Sequence, residues 1–381
     1  MPIYKVDGIK RDGLQKYNVR ANYTLSDGTQ KQMTRTAYGL EEARDLEQKI
    51  LTEAREKLDG SFGRTTVGQL FTEYIATKQH DVRRTTVQKY EKEYELYIKP
   101  KLENVKLCKL TIPMLQKWKS YIEGLEIGLT TRNHAYSTLR ILLNYAVRME
   151  YIPKNPLTAI GCFKDAGYSK AEIKYYTAGE FLLYISTVKH YAEKRAAECR
   201  SLSEWDYYVF FNIAFYTGMR KGEILALKWS DLDNEHINVR RSIQQKVKGG
   251  VDIETPPKSK TSVRTLQVPL PLMNVLNEHR ERQTHIGQFT EDYRICGGPQ
   301  CIKGSSLGDK NSFYANLSGQ KRIRVHDFRH SHVSILANEG INIQEIARRL
   351  GHAKVEITWN TYSHLYPREQ EKAVDVLNKI A

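Results

Sequence analysis

The chain has 381 residues, of which 40% are hydrophobic and 27% are charged. This length predicts two or three domains, with enough apolar side chains for real hydrophobic cores. A formal net charge of +15 and a pI near 9.4 favour a polyanionic partner, since Lys and Arg displace the counterions condensed on a phosphate backbone. No stretch approaches the ~18 apolar residues of a membrane span, and the first residues do not form a signal peptide. We therefore expect a cytoplasmic protein with no membrane partner.

The five cysteines are scattered along the chain and odd in number. Only Cys296 and Cys301 lie close together, and a Cys-x4-Cys pair without a second pair is weak evidence for zinc. We expect reduced thiols and no bound metal.

The N-terminal segment has the alternating pattern of short strands. Within residues 1–36, Asp27-Gly28 stands between two alternating runs, which is a strong hairpin signal. Residues Leu40 to Leu58 then predict an amphipathic helix. A three-stranded sheet with one helix behind it predicts a small β-type DNA-binding module, with a scaffold or protein-docking module as the alternative. The candidate DNA-contacting residues are Lys16, Arg20, Lys31 and Arg35.

From Thr66 onward the pattern becomes helical. Apolar residues recur at i, i+3, i+4, i+7 and i+8 from Val67 to Ile75, with Thr66 as an N-cap. Further helices are predicted over residues 84–97, 112–125 and 130–149, which makes a compact all-α module with basic outer faces. Its phosphate-contact candidates, for which a plain solvated face is an equal alternative, are Arg132, Arg140 and Arg148.

Beyond a linker at residues 161–174, helices dominate again. A strand-like pattern between Ile237 and Val268 interrupts the helices, and residues 284–322 are predicted as loop with short helices. The predicted fold class is therefore mainly α with small β elements, in a multidomain chain divided into residues 1–60, 64–160 and 174–381.

Five widely separated residues carry the chemical signal: two arginines, two histidines and one tyrosine. Arginine supplies a fork of N–H donors that matches two phosphate oxygens and stays charged at any working pH. A tyrosine phenol is a poor nucleophile at its ordinary pKa of about 10, so it needs a nearby base and a neutralised target. Such a set can grip a phosphodiester and attack it without a metal. The residues are Arg220, His326, Arg329, His352 and Tyr362.

The motifs around these residues make the pattern specific. They read Thr217-Gly-Met-Arg-Lys-Gly-Glu223, His326-Asp-Phe-Arg-His-Ser-His332, Leu350-Gly-His352 and Thr358-Trp-Asn-Thr-Tyr362-Ser-His364. This set resembles the catalytic signature of the tyrosine recombinases, the phage-integrase family, from about Thr66 to the end of the chain. The N-terminal segment makes the chain look most like the integrases of conjugative transposons.

The resemblance implies a site-specific DNA recombinase of a mobile element. Such an enzyme cuts and rejoins DNA through a 3′-phosphotyrosyl intermediate and a Holliday junction, and it integrates and excises the element. Residues 1–60 would then bind arm sites, residues 64–160 would form the SAM-like core-binding domain, and residues 174–381 would form the mostly helical catalytic domain with a C-terminal tail. No cofactor is expected, neither ATP nor metal, because the covalent ester conserves the bond energy.

The resemblance also implies the partners. These are double-stranded DNA at the core and arm sites of element and target, and three further copies of the chain in a homotetramer on DNA. An excisionase-type directionality factor and a host DNA-bending protein are further expected partners, and the protein would act at the bacterial nucleoid.

Residue by residue, the resemblance makes Arg220 and Arg329 the phosphate-gripping arginines. Glu223, one helical turn after Arg220, would fix its guanidinium. Lys260 would give its proton to the departing 5′ oxygen. Lys258 is the alternative, since residues two apart point to the same face of a strand.

His352 would stabilise the pentacovalent state, and Tyr362 would be the nucleophile, with Tyr366 as its only serious rival. His326 is a candidate base for the tyrosine proton and also a phosphate hydrogen-bond donor, and the sequence does not separate those roles. A structural or solvent-facing role is expected for the remaining histidines of these motifs, which are His330, His332 and His364.

Two other classes of protein fit parts of the pattern. His326 and His330 form a near miss for the His-Glu-x-x-His motif of a metallohydrolase, but no third ligand is evident. Residues 343–351 have the outline of a helix-turn-helix in a non-catalytic DNA-binding regulator, which would leave Arg220 and Tyr362 without a purpose. The tail, residues 367–381, has an apolar stripe at helical spacing that we expect to dock on its own domain or on a neighbouring protomer.

Overall fold

The computed structural model describes residues 3–11, 13–24, 30–58, 65–164, 173–199, 202–245, 252–256, 260–285 and 287–363, and residues 374, 377 and 378. The chain divides into two compact units, residues 1–169 and 170–381. The described residues are mostly helical with small antiparallel sheets, which confirms the predicted fold class. None of the helices in these ranges combines the length and apolarity that a bilayer span requires.

The first unit begins with a three-stranded antiparallel sheet, ordered β1-β2-β3, and one helix against it. The elements are β1 (Ile3–Arg11), β2 (Leu14–Thr24), β3 (Gln30–Tyr38) and α1 (Leu40–Leu58). Their small hydrophobic core is formed by Val19, Ala37, Ala43 and Ile50. The alternating pattern of the sequence produces this arrangement, because it leaves one face of the sheet apolar enough to pack against α1.

The register of the sheet separates the predicted DNA-contacting residues. Arg20 pairs with Thr34 and lies, like Lys16, on the face opposite to the buried Val19. Arg35 pairs directly with Val19. Because directly paired residues share a face, Arg35 projects from the helix-covered side, and its contact with DNA stays a prediction. Lys31 pairs with Tyr23 at the far end of the hairpin.

The helices that complete the first unit share a second hydrophobic core. They are α2 (Val67–Lys78), α3 (Arg84–Glu93), α4 (Lys99–Leu102), α5 (Ile112–Glu123) and α6 (Leu129–Arg148). Thr66 is the N-cap of α2, as the sequence predicts, and it forms a capping box with Gln69. The single helix predicted over residues 84–97 is interrupted by a π-helical segment, Tyr94–Ile98. Pro100 accounts for this, because it has no N–H to bond the carbonyl four residues earlier.

Helix α6 carries the three arginines predicted to contact phosphates. Arg140 and Arg148 are exposed. Arg132 is half-buried and donates a 3.2 Å hydrogen bond to the Leu125 carbonyl, so part of its fork of donors already fastens the loop before α6. Contact with DNA stays a prediction for all three.

The second unit is helical around two small sheets. Its helices are α7 (Ala178–Cys199), α8 (Ser203–Thr217), α9 (Lys221–Ala226), α10 (Leu270–Thr284), α11 (Ser306–Leu317), α12 (Asp327–Asn338), α13 (Ile343–Leu350) and α14 (Val355–Tyr362). Its strands are β4 (Leu232–Asp233), β5 (His236–Val239), β6 (Ser242–Gln244), β7 (Ile253–Thr255) and β8 (Arg264–Gln267). One sheet has the order β4-β5-β8, and β6 pairs with β7.

Helix α8 lies at the centre of this unit. It is apolar around most of its circumference, which is typical of a helix enclosed by other elements, and nearly all of its residues are buried. Phe211 of α8 stacks on Phe328 of α12, with ring centroids 5.2 Å apart. Because Phe328 stands between His326 and Arg329, this contact fixes the start of α12 against the corner that follows α8.

Several predicted features lie outside the described residues. They are the linker at residues 60–63, the turn at Asp27-Gly28, Lys258, His364, Tyr366 and most of the apolar stripe of the tail.

Candidate active site

A glycine corner between α8 and α9 positions Arg220. Helix α8 ends at Thr217, Gly218 takes a left-handed conformation with φ of 63°, and Arg220 is the N-cap of α9. A Cβ on Gly218 would lie 2.8 Å from Cδ2 of His332. Both the backbone conformation and the lack of space therefore require glycine at this position.

The carboxylate of Glu223 holds Arg220 in place through two hydrogen bonds. Its Oε1 accepts from Nη1 of Arg220 at 2.8 Å, and its Oε2 accepts from the Arg220 backbone N–H at 3.0 Å. The carboxylate is buried, whereas 37% of the Arg220 side chain is exposed. Burial alone would raise the pKa of Glu223, but the guanidiniums of Arg264 and Arg220 hold it below its ordinary value. The carboxylate therefore stays charged and keeps the exposed guanidinium aimed at solvent.

Arg264, at the start of β8, is a member of the site that the sequence analysis missed. Its Nη2 donates to Oε2 of Glu223 at 2.9 Å, and its Nε donates to the Arg349 carbonyl at 2.6 Å. The alternating pattern of β8 could have identified Arg264, because it shares a face of the strand with the buried Leu266 and Val268. A charge on the inner face of a strand requires a partner.

Arg329 is the buried arginine of the site. Its Nη1 donates to the Gly218 carbonyl at 2.8 Å, and its Nη2 donates to the Leu350 carbonyl at 2.9 Å. Burial and, to a smaller extent, the nearby positive charge of Arg220 lower the pKa of Arg329 to about 9. The guanidinium remains protonated at neutral pH and can only donate hydrogen bonds.

His352 follows Gly351 in the turn between α13 and α14, and it contacts Arg329. Its Nε2 lies 2.8 Å from Nη2 of Arg329, and its Nδ1 lies 2.8 Å from Oγ1 of Thr358. A guanidinium only donates, so Nε2 is the acceptor and Nδ1 carries the proton. Burial and the charge of Arg329 lower the pKa of His352 to about 4. To donate to a phosphate through Nε2, the imidazole must leave Arg329 and carry a proton on Nε2.

Tyr362 is only 3% exposed and packs among Val333, Ile346 and Leu350. Burial raises the pKa of its phenol to about 12, although Arg329 opposes the shift. The phenol oxygen lies 2.6 Å from Nδ1 of His330. His330, for which the sequence predicted a structural or solvent-facing role, is therefore the histidine that contacts the phenol.

His326 stands at the N-cap of α12 and is exposed. Its ring centroid lies 5.5 Å from that of His330, with the two rings nearly perpendicular. Partial desolvation of the ring by its protein neighbours and the charge of Arg329 lower the pKa of His326. Within the described part of the chain, the imidazole hydrogen-bonded to the phenol is that of His330.

Of two further predicted residues, Lys260 lies in a different setting from the one expected and His332 in the expected one. Lys260 begins a short 3-10 turn, Lys260–Ser262, and the strand starts only at Arg264. The strand alternation that would have put Lys258 and Lys260 on one face therefore does not reach Lys260. His332 is buried, and its Nδ1 lies 2.9 Å from the Phe215 carbonyl. This contact suits the structural role expected of it.

The charges of the site are strongly unbalanced. Three guanidiniums, those of Arg220, Arg264 and Arg329, act on the buried carboxylate of Glu223. Among the described residues, no group of three or more His, Cys, Asp and Glu side chains could hold a metal ion. The arrangement is suited to bind an anion through guanidinium N–H groups.

Two family models match the chain over the segments that contain these features. The phage integrase family model matches residues 186–369, and the SAM-like N-terminal domain of phage integrases matches residues 66–122. The chain belongs to the phage integrase family. Members of this family that act through tyrosine are site-specific DNA recombinases, and this chain is an enzyme of that type.

Relatives of known name agree with this family. The chain is 26% identical to the ICEBs1 integrase of Bacillus subtilis strain 168 over 349 residues, which is 89% of this chain and 90% of the relative. It is 28% identical to a tyrosine recombinase XerC-like protein of Caldanaerobacter subterraneus subsp. tengcongensis, over 89% of each chain.

Solved structures share the fold. The Tn1549 transposon integrase in complex with a circular intermediate DNA superposes with a TM-score of 0.66 at 17% identity, over 83% of this chain and 99% of that one. A lambda integrase from a tetramer bound to a Holliday junction superposes with a TM-score of 0.53 at 16% identity, over 93% of this chain and 96% of that one.

Proposed function

We propose that this recombinase cuts DNA by attack of the Tyr362 phenol on a phosphodiester held by Arg220 and Arg329. The observation that carries the proposal is the convergence of the two guanidiniums at one corner. Arg220 follows Gly218 by two residues, and Arg329 donates to the Gly218 carbonyl at 2.8 Å. Two N–H forks at one place match the non-bridging oxygens of a single phosphate and neutralise the charge that grows on them.

The proposed reaction joins the phenol oxygen to phosphorus and expels the 5′ oxygen of the next nucleotide. The product is a 3′-phosphotyrosine and a free 5′ hydroxyl. Lys260 would supply the proton to the departing oxygen, and His326 and His352 would contribute hydrogen bonds to the phosphate. The 5′ hydroxyl of a partner strand then reverses the step, which exchanges strands through a Holliday junction without ATP or a metal ion.

The structures of related integrases contain circular intermediate DNA and a Holliday junction, which supports double-stranded DNA as the substrate of this chain. We propose that it integrates and excises a mobile element as a homotetramer. The tail would dock on a neighbouring protomer, and an excisionase-type factor and a host DNA-bending protein would set direction and geometry. With such a substrate the protein would act at the bacterial nucleoid.

For the N-terminal sheet we propose arm-site binding through the face opposite to α1. Arg20 of this face stacks on the Tyr4 ring at 5.0 Å, and Gln32 donates to Asn22 at 2.8 Å. Arginine and side-chain amides are the groups that hydrogen-bond base edges in a groove. Residues 64–160 would bind the core site, and residues 174–381 would carry out the chemistry.

The deciding experiment traps the covalent intermediate. Nicked suicide duplexes, tiled across the DNA that flanks the gene, are incubated with the protein and resolved by denaturing electrophoresis. Tyr362→Phe should abolish the adduct and leave DNA binding nearly intact, because only the phenol oxygen is lost. Peptide mapping of the wild-type adduct should place the nucleotide on Tyr362. Mapping to Tyr366, or an adduct formed by the Phe variant, would refute the assignment.

A further inference from the structure

The attacking phenol of the proposed reaction has a histidine partner whose own second nitrogen faces a carboxylate. The Tyr362 oxygen lies 2.6 Å from Nδ1 of His330. Nε2 of the same ring lies 3.8 Å from Oδ1 of Asp327. Phenol, imidazole and carboxylate therefore follow one another in the order found where a nucleophile, its base and an orienting acid act together.

The charge of the carboxylate, which lies beyond hydrogen-bonding distance of the ring, favours a proton on Nε2 of His330. Asp327 is buried, and its side chain accepts from the backbone N–H of Arg324 at 2.8 Å and from the Arg324 guanidinium. A carboxylate held in this way attracts a proton on Nε2 and leaves the lone pair of Nδ1 facing the phenol. The short bond is therefore an O–H donated by Tyr362 to His330.

The surroundings of His330 keep it neutral, so that a ring nitrogen has a lone pair to accept a proton. Burial and, to a smaller extent, the nearby His326 lower the pKa of His330 to about 4. Three other charged groups act on the ring. Asp327 raises its pKa, whereas Arg324 and Arg329 lower it. The phenol that faces the ring has a pKa of about 12. At pH 7 about one phenol in 10⁵ is ionised, so attack requires a base.

We propose that His330 is the general base of the cleavage step, an inference that rests on the function proposed above. As the Tyr362 oxygen bonds to phosphorus, its proton passes to Nδ1 of His330, and Asp327 stabilises the imidazolium. The bond between phosphorus and the 5′ oxygen breaks, and that oxygen takes its proton from Lys260. In the ligation step the imidazolium returns its proton to the phenol.

This assignment separates the two roles that the sequence left together on His326. The His326 ring is four residues away on the chain and nearly perpendicular to that of His330. Because the phenol is hydrogen-bonded to His330, the imidazole of His326 can form a hydrogen bond to the phosphate. Replacing His330 and replacing His326 should therefore lower the rate of adduct formation with different dependences on pH.

The test is His330→Asn in single-turnover adduct formation on the suicide duplex cleaved by the wild type. Asparagine keeps an oxygen acceptor near the position of Nδ1 but cannot take a proton. Adduct formation should fall about 10²- to 10⁴-fold at pH 7, and the loss should shrink as rising pH ionises the phenol. DNA binding and the unfolding midpoint should stay close to wild type. A rate near wild type, or a loss that is constant across pH, would overturn the proposal, because it would show that His330 only holds the phenol.

A matched variant tests the competing base. His326→Asn should lower adduct formation by a factor that does not change with pH, as expected for a lost phosphate contact. A loss at His326 that shrinks with rising pH, together with a near wild-type His330→Asn, would assign the base to His326 and overturn the proposal.

A second measurement has one arm, with His330 intact, that does not depend on the folding of either variant. Fluorotyrosine placed at position 362 has a more acidic phenol. It should restore part of the rate of the His330→Asn protein, yet change the rate little where His330 is intact, because the base already accepts the proton. A rate that rises in full proportion to phenol acidity with His330 intact would overturn the proposal. Absence of any wild-type adduct, or its formation by Tyr362→Phe, would instead refute the proposed function itself.

Discussion

Arg264 and Glu223 form a buried ion pair, with only 6% and 4% of their side chains exposed and 2.9 Å between Nη2 and Oε2. The pair joins β8 to the corner that carries Arg220. Since Arg264 also donates to the Arg349 carbonyl at 2.6 Å, one guanidinium fastens three segments of the site. The position of Arg220 therefore depends on a residue 44 positions further along the chain.

Replacing Arg264 tests this dependence. Arg264→Lys keeps the charge but cannot bond Glu223 and the Arg349 carbonyl together, so we expect adduct formation to fall about 10- to 100-fold with little loss of DNA binding. Arg264→Met should also destabilise the protein by about 3–5 kcal/mol, because it leaves a buried carboxylate short of a partner. Single-turnover cleavage and urea unfolding measure the two effects. Arg280→Lys, in an ion pair with Glu291 whose side chains are 43% and 51% exposed, is the matched control and should change neither.

The arginines that would grip the phosphate should not tolerate lysine. Arg329→Lys keeps the charge but loses the paired bonds to the Gly218 and Leu350 carbonyls, and Arg220→Lys loses the fork. We expect cleavage to fall by orders of magnitude in each variant, with modest loss of affinity. Arg348, whose side chain is 79% exposed, provides a control substitution that should leave cleavage unchanged. Wild-type cleavage by both variants would contradict the proposed grip.

The glycine corner should be sensitive to a single methyl group. Gly218→Ala adds left-handed backbone strain and a contact 2.8 Å from His332, so we expect a loss of about 2–4 kcal/mol in the free energy of unfolding. Gly319 has a φ of 67° with nothing within 4 Å of an added Cβ, and Gly319→Ala should cost only about 1–2 kcal/mol. Urea unfolding of both variants separates strain from crowding. Equal losses would show that the His332 contact does not matter.

Buried histidines should make the protein sensitive to acid. Burial lowers the pKa of His332 to about 3, below the value of about 6.5 in an unfolded chain. Between these values the unfolded state binds the extra proton, so stability is lost as pH falls below about 6.5, by roughly 1.4 kcal/mol per pH unit for each such histidine. Between pH 6 and 4, His332→Gln should reduce the slope of unfolding free energy against pH by the contribution of one proton. His285→Gln, at an exposed position, should leave the slope as it is.

Chelation separates the recombinase from a metallohydrolase that would use the His326 and His330 pair. Because guanidiniums would neutralise the phosphate, we expect EDTA to leave adduct formation unchanged. Activity that vanishes with the chelator and returns with a stoichiometric divalent ion would favour the metal site.

The sequence alone predicted the features that arise from short-range patterns. Thr66 is the predicted N-cap of its helix, the helix over residues 40–58 has its predicted bounds, and a glycine in the Arg220 motif, Gly218, makes the tight corner before Arg220. Each of these depends on backbone geometry within a few residues, where side-chain type limits the available conformations. The family also followed from motifs that are each only a few residues long.

Tertiary structure decided which groups meet. Tyr362 and His330 are 32 residues apart, and Arg264 and Glu223 are 41 apart. Helical spacing places His326 and His330 on one side of α12, but only the packing of α14 against that helix determines which imidazole the phenol reaches. In the same way, strand register and not composition put Arg35 on the side of the sheet opposite to Arg20. Periodicity fixes a residue's direction within its own element, whereas contacts between elements depend on how whole faces pack together.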